Sequence, residues 1–474
     1  MDETATFPKN TNSRSVLWRI FLLAVLIRVL FFAVAYYESD RTFSGIFPRY
    51  DGYYEIAENL LAGNGFSMTT VAPFVPDSVR TPLYPLFIAG IVWLCKSYYA
   101  VFALQTLVGS LIPLFAYRIA LQLTSRSAVA GAVALLLACE PLTVSLATIL
   151  WSETLFTALF LAGVTRFLDY FSEQNLHTLS EATLLFALAT LVRPTIQFLP
   201  LLLLCVIFFL LWKQKSTAVK HGTVLFVLFF AVLAPWSIRN VIHFQNGALN
   251  VQSVSVPYGY LIPSTIALEQ HIGFQKAQDT FYAGEGGVRD VGDITLANAR
   301  DYQKRIAPLL LEHPVGLITS VGVTAFTFFT HDGYIDVLYR WGVPHLPRME
   351  RPAFTLLLES PTKAFAFLIP FIKSPILFVL LGRMLWILVT LCFIGGAVWY
   401  LRPKENRAKG IFLLLLTGYF VFTTVAVGLA VNARFRIPVN AFILTFAVYG
   451  MLGAFSRLRK KKESSLLVSK SADN

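Results

Sequence analysis

The chain has 474 residues, 56% of them hydrophobic and 14% charged, with a formal net charge of +12. Soluble globular chains hold about 45–50% apolar and about 25% charged residues, so this much apolar surface needs lipid as a second solvent and excludes a soluble fold. The positive excess does not read as a nucleic-acid footprint. Much of it sits in short segments between apolar runs, at Lys213, Lys215 and Lys220, at Arg402, Lys404, Arg407 and Lys409, and from Arg457 to Lys462, where it orients the chain in a membrane.

A helix needs about 20 mostly apolar residues to cross a bilayer. Met1–Ser15 is polar without a cleavage site, so the first apolar run, Val16–Tyr37, reads as a retained span. A polar segment runs from Glu38 to Thr81. Pro82–Cys95 is apolar but short and reads as partly embedded, re-entrant or interfacial. Spans are predicted at Tyr98–Leu123, Ala128–Leu146 and Thr154–Phe171. Glu181–Trp212 is too long for one span and carries Arg193-Pro194 in its middle, which predicts a hairpin of two short helices. Gly222–Trp236 follows. Asn240–His313 then reads as a large external loop, with the Gly- and acid-rich piece Ala283–Asp293 exposed.

Pro314–Thr330 is apolar and His331–Lys373 mixed. The predicted spans Pro375–Leu401, Gly410–Leu429 and Pro438–Phe455 close the chain. Basic segments put Lys213–Lys220, Arg402–Lys409 and the tail 456–474 in the cytoplasm. Counting back puts the Glu38–Thr81 loop, Arg193, the Asn240 loop and Asn432–Arg436 on the other side. If Pro314–Thr330 crosses, something in Pro352–Phe371 must cross back. Cys95, Cys139, Cys205 and Cys392 are scattered packing residues.

Within the first loop, Asp51, Glu55 and Glu58 share one narrow arc at 100° per residue, with Tyr53, Ile56, Ala57, Leu60 and Leu61 opposite. That predicts an amphipathic helix from about Asp51 to Ala62, stopped at Gly63-Asn64-Gly65 and lying apolar face down in the interface. Glu55 and Glu58 are expected only to stay wet. Asp51 stands at the entry of the helix among Arg49, Tyr50, Tyr53 and Tyr54, where a carboxylate meets a substrate at the membrane surface. Glu153 opens a helix, where the dipole favours an acid, and Glu140 precedes Pro141 near the end of a span. Arg49, Arg80, Arg193, Arg239, Arg434 and Arg436 gather on the non-cytoplasmic side, against the usual bias. Arginine forks bind phosphate oxygens in pairs, so a lipid phosphate presented at this face explains them.

These residues resemble the membrane-embedded GT-C glycosyltransferases, in particular the bacterial relatives of protein O-mannosyltransferases and of lipid A aminoarabinose transferases. The stretches that carry the likeness are Arg49-Tyr-Asp51 through Gly65-Phe66 with Arg80-Thr-Pro-Leu-Tyr84-Pro-Leu86, then Ser152-Glu153-Thr-Leu-Phe156, Pro235-Trp-Ser-Ile-Arg239-Asn240 and Asn432-Ala-Arg-Phe-Arg-Ile-Pro438. The likeness runs from about Leu17 to Phe455 and is weak over Asn240–Lys373. It implies an all-α polytopic GT-C domain over 1–455 with roughly 10–13 transmembrane helices. It also implies sugar transfer from a polyprenyl-phosphate donor to a protein, lipid A or other glycan or glycolipid acceptor, at the periplasmic face of a bacterial inner membrane.

Asp51 is implied as the essential carboxylate, with Glu153 as the second acid. The paired first-loop acids of the eukaryotic mannosyltransferases are not reproduced, since Gly52 follows Asp51. Arg434, Arg436, Arg239, Arg80 and Arg193 are expected to hold the donor phosphate, and Tyr53, Tyr54, Tyr84 and Glu140 to contact substrate. No nucleotide loop is visible, and no His, Cys or Asp cluster has metal spacing. No cofactor is expected, although related oligosaccharyltransferases use a divalent ion. The rival reading, a transporter or lipid-linked sugar flippase, places charge at the membrane midplane on broken helices, whereas the charges here gather at one face.

Overall fold

The computed structural model describes residues 11–39, 41, 51–284, 291–343, 360, 362 and 374–455. Arg49, Tyr50, most of Ala283–Asp293, the return crossing expected within Pro352–Phe371 and the basic tail lie outside the described residues.

Helix α1 (Thr11–Glu38) comes first, then α2 (Tyr53–Ala62), α3 (Leu83–Cys95) and α4 (Tyr98–Thr124). The expected single span at Ala128–Leu146 is instead broken into α5 (Ser127–Cys139) and α6 (Pro141–Leu146). The break has a local cause. Pro141 cannot continue α5 but suits the first position of a new helix, and the Glu140 carboxylate caps that helix by accepting from the Leu142 and Thr143 amides. Next are α7 (Glu153–Glu173), α8 (Leu176–Val192) and α9 (Leu199–Leu210). The hairpin predicted around Arg193-Pro194 is present as α8 and α9, joined through a 3-10 turn at Pro194–Ile196.

Helix α10 (Lys215–Phe244) runs well past the predicted Gly222–Trp236, carrying Pro235 within it. Beyond it the expected polar loop is a folded helical unit: α11 (Gln252–Val256), α12 (Ile262–Glu269), α13 (Phe274–Gly284) and α14 (Ala299–Leu311). Val251, Tyr258, Ile262, Phe281 and Leu296 form its own core. Then come α15 (Pro314–Thr330), α16 (Tyr334–Arg340), α17 (Ile376–Tyr400) and α18 (Arg407–Val425). A last helix, α19, covers 440–455 after a 3-10 turn at Ala433–Val439.

Among the described residues, seven helices are long and apolar enough to cross a membrane, and four shorter apolar ones accompany them. Large apolar side chains such as Met384, Leu388 and Leu391 on α17 stand more than half exposed, which only a lipid surroundings accommodates. The chain is an integral membrane protein. Buried α7 forms the centre of the bundle, its Phe156 and Phe160 packing on Phe420 of α18, and Phe160 also on Phe442 of α19.

The amphipathic helix is where the sequence places it, with Gly63 ending it at φ 79°. Its apolar face, however, meets protein and not lipid. Tyr53 and Ala57 join the main core with Tyr84 and Ile88 of α3. Helix α3 begins and ends at one end of the bundle. Thr81, just before it, donates to Val192 O (2.9 Å), while Tyr98, just after it, stacks on Tyr54 of α2 at 5.0 Å. At the start of α15 His313 lies 2.8 Å from Glu269, in the unit whose Asn250 and Val251 bond the backbone of Val79 and Ser78. At its end Arg436 holds its last carbonyls, and Phe329 packs well along α17, its carbonyl accepting from Thr390 at 3.1 Å and its ring stacking on Phe393.

Candidate active site

Five segments far apart in sequence meet at that end. Asp51 is fixed first by its own backbone. Gly52 takes φ 70°, a conformation that favours glycine, and a Cβ there would stand 2.6 Å from Met68 Cε. Arg80 then holds Asp51 twice: Nε donates to the Asp51 carbonyl at 2.7 Å, and Nη2 lies 3.3 Å from Oδ1. Arg80 is itself set by a turn in which the Asp77 carboxylate accepts from the amides of Val79 (3.0 Å) and Arg80 (2.7 Å). Burial raises the Asp77 pKa, opposed by those amides and by the charges of Arg80 and Arg239. The Arg80 guanidinium also lies over the Tyr53 ring at 5.2 Å.

Tyr53 reaches across to Ser152, with the two hydroxyl oxygens 3.0 Å apart. Burial pushes the Tyr53 pKa up, against the lowering effect of Arg80 and Arg193, so it stays a neutral phenol at physiological pH. Ser152 also accepts from Arg193 Nη1 at 3.3 Å. Ser152 was not singled out as a functional residue from the sequence. Its signal was present in the Ser152-Glu153 motif, where a hydroxyl stands beside the acid.

Glu153 starts α7 and is buried to 3% exposure. Its Oε1 lies 2.5 Å from Arg193 Nη1 and 4.0 Å from Arg434 Nη1. Oε1 is thus paired with Arg193, while Oε2 is buried with no bonding partner. Arg434 lies over the Trp151 ring at 5.1 Å, and its Nε and the Trp151 Nε1 are likewise buried and unpartnered. Buried polar groups are nearly always bonded, so the free Glu153 Oε2, Arg434 Nε and Trp151 Nε1 leave unused bonding capacity at this point. Arg80, Arg193 and Arg434 stand against the carboxylates of Asp51 and Glu153, and the charge of Asp336 also acts on Arg434.

The other residues expected here have structural work instead. Arg436 was expected to hold phosphate, but it is 1% exposed and its guanidinium is committed. It donates to the carbonyls of Phe328 and Phe329 (both 2.8 Å) and His331 (2.9 Å) and to Asn440 Oδ1 (3.0 Å), closing the C-terminal end of α15. Arg239 likewise ties the first loop, donating to Asp77 O (2.8 Å) and Asn240 Oδ1 (2.9 Å), and sits over Trp236 at 4.7 Å. Tyr84 is fully buried and donates to Gln105 Oε1 at 2.7 Å. Gln105 in turn donates to the carbonyls of Ala147 (3.2 Å) and Ile149 (2.5 Å), holding the turn before Ser152. A glutamine in an apolar run was the sequence signal for it. Tyr54 packs on Tyr98, and Glu140 uses both oxygens as a helix cap, Oε1 accepting from Leu142 N at 3.3 Å and Oε2 from Thr143 N and Oγ1 at 2.6 Å each. Arg340 clamps the far end of α6 through Ser145 O (2.9 Å) and Thr148 O (3.0 Å).

No three His, Cys, Asp or Glu side chains come together as a metal site among the described residues. The two acids of the cluster face arginines, a donor set that does not fit a metal ion.

A family model described as dolichyl-phosphate-mannose-protein mannosyltransferase matches residues 79–238, a stretch that contains Arg80, Ser152, Glu153 and Arg193. The fold is similar to the oligosaccharyltransferase of Archaeoglobus fulgidus solved with zinc and sulfate, at 12% identity and a TM-score of 0.52, over 95% of this chain and 51% of that one. It is also similar to the archaeal oligosaccharyltransferase AglB of the same organism, solved with an inhibitory peptide and a dolichol-phosphate, at 12% identity and a TM-score of 0.53, over 97% and 52%. The chain has a GT-C glycosyltransferase fold. It spans about half the length of these solved structures. No curated protein sequence matches it significantly.

Proposed function

We propose that this GT-C protein transfers a sugar from a polyprenyl-phosphate carrier to an acceptor hydroxyl, at the extracytoplasmic face of the membrane. The observation that carries this reading is the cluster of Asp51 with Arg80 and Glu153 with Arg193 and Arg434, held by five distant segments and left with unpartnered buried polar atoms. The solved relative bound to a dolichol-phosphate supports a lipid-phosphate carrier.

An acceptor hydroxyl is a poor nucleophile. Asp51, with Oδ1 held by Arg80, presents Oδ2 to take its proton as the oxygen attacks the anomeric carbon. A new carbon–oxygen bond forms and the bond from that carbon to the phosphate oxygen breaks. The carrier phosphate leaves with the electron pair. Arg193 and Arg434 stand ready to stabilise that growing charge without reorganising. Glu153 orients the two guanidinium groups before the donor arrives. The reading is tested by comparing glycans and glycolipids from cells with and without the protein by mass spectrometry. It expects one glycan class to lose a single sugar, and unchanged glycans would sink it.

A further inference from the structure

The segment that delivers Ser152 and Glu153 to the site, 147–151, is a turn with no helix or strand of its own. Helix α6 ends just before it at Leu146, and the last carbonyls of a helix have no partner within the helix. Side chains from two other helices take five successive carbonyls there. Arg340 of α16 donates to Ser145 O (2.9 Å) and Thr148 O (3.0 Å). Gln105 of α4 shares its amide protons among Leu146 O (3.3 Å), Ala147 O (3.2 Å) and Ile149 O (2.5 Å). An amide buried in a membrane span is costly unless it is bonded, and Gln105, 2% exposed within the α4 span, is bonded at both its nitrogen and its oxygen.

The oxygen of Gln105 ties the turn to the first loop. It accepts from Tyr84 at 2.7 Å, and the Tyr84 ring meets the Tyr53 ring edge-on, with centroids 4.8 Å apart. Tyr53 in turn lies under Arg80, which holds Asp51, and its hydroxyl stands 3.0 Å from that of Ser152. Gln105, Tyr84, Tyr53 and Ser152 therefore close a ring through the 149–152 backbone. One side of the ring carries Asp51 and the other carries Glu153.

We infer that Gln105 is a positioning residue that sets the Asp51 side of the site against the Glu153 side. Through Ile149 O and Ala147 O it fixes the height at which Glu153 meets Arg193, and through Tyr84 it keys that height to the first loop. It touches neither donor nor acceptor and acts through these residues. The inference rests on the proposed role of the Glu153 cluster in holding the carrier phosphate.

The test uses Gln105→Met, Tyr84→Phe and the two combined, in the full chain reconstituted in nanodiscs. Three quantities are read: the thermal midpoint, the affinity for polyprenyl phosphate well below that midpoint, and hydrogen–deuterium exchange of the 147–153 segment. Gln105→Met frees both ends of the link and is expected to weaken polyprenyl phosphate binding about tenfold, and Tyr84→Phe, which removes one hydrogen bond, about threefold. Because Tyr84 acts through Gln105, the combined variant should lose no more than Gln105→Met alone. Exchange across 147–153 should be faster in both single variants. Affinity losses that multiply would overturn the coupling. Wild-type affinity in both single variants with lowered midpoints would overturn the positioning role and leave residues that only stabilise the fold. If Gln105→Met does not fold, Tyr84→Phe, which keeps the ring against Tyr53, is judged by the same affinity and exchange criteria. Should the wild-type protein bind no polyprenyl phosphate, the carrier reading fails. Exchange of 147–153 then decides alone: faster exchange in the variants upholds Gln105 as the residue that positions this turn, and unchanged exchange overturns it.

Discussion

Helix α7 carries a charge cluster at each end, about 24 Å apart along its axis. The two are built from the same residue types. At the C-terminal end, Asp169 Oδ2 accepts from Arg118 (3.0 Å) and Arg166 (2.9 Å), Oδ1 accepts from Gln122, and Arg166 continues to Glu181 at 2.6 Å. Both oxygens of Asp169 are bonded. At the N-terminal end, Glu153 Oε1 pairs with Arg193 and stands 4.0 Å from Arg434, while Oε2 is buried with no bonding partner. A carboxylate saturated in this way fixes helices against one another, although Gln122 Oε1 in the same cluster is buried without a partner. An unsaturated one leaves bonding capacity that a substrate completes. Charge content alone does not separate an anchor from a site, and the bonding of the carboxylate is what differs between the two ends.

The contrast makes the sharpest demand on the unsaturated end. Asp51→Asn keeps the shape of the side chain and removes the proton acceptor, so the transfer rate is expected to fall by about 10²–10⁴. The thermal midpoint should stay at the wild-type value, because Asp51 is partly exposed and Arg80 retains its bond to the Asp51 carbonyl. Near-normal turnover by purified Asp51→Asn protein would remove Asp51 from the mechanism.

The two ends of α7 can then be exchanged for test. Glu153→Gln is expected to cost about 10² in transfer rate in the protein that remains folded, since the arginines lose the charge that orients them, and, as a buried acid 2.5 Å from Arg193, about 3 kcal/mol of stability as well. Asp169→Asn should cost stability alone. It leaves Arg118 and Arg166 without their shared anion and costs about 3 kcal/mol, while the surviving folded protein transfers sugar within a fewfold of wild type. Rates and midpoints measured on both variants decide the matter. Equal loss of activity in both would erase the distinction between anchor and site.

Much of this was legible in the sequence. Period and composition located the spans, the Arg193-Pro194 hairpin and the first-loop helix with its Gly63 stop, because those rest on apolar periodicity and on proline and glycine geometry. Asp51, Glu153, Arg80, Arg193 and Arg434 were named from motif and membrane side, and they are the ones that meet. Two kinds of feature were not legible. One was the commitment of donors: Arg434 and Arg436 are two residues apart in one motif, and only packing shows that Arg436 is spent on carbonyls of α15. The other was burial of polar groups by long-range partners, as with Tyr84 through Gln105 and the folded unit after α10, whose core comes from residues that look like loop sequence.

Those two arginines give the finest test of the comparison. Lysine keeps a charge but offers no planar fork. At Arg434 the guanidinium has an unpartnered Nε and partial exposure, so it has capacity for a phosphate. Arg434→Lys should therefore weaken handling of a polyprenyl-phosphate donor about tenfold, the scale of one charge-assisted hydrogen bond, with the fold unchanged. The loss appears in KM if ground state and transition state are held equally, and in kcat if the leaving charge is what the fork meets. Arg436→Lys should behave as its neighbours dictate. Three backbone carbonyls and Asn440 share that guanidinium, and lysine cannot reach them all in one geometry. A lowered thermal midpoint is expected, with KM for the donor unchanged in the folded fraction. The decisive reading is donor KM and kcat for both lysine variants beside their midpoints. Wild-type kinetics for Arg434→Lys, or a donor defect in Arg436→Lys at full stability, would reverse the assignment of the two and move the phosphate site to the end of α15.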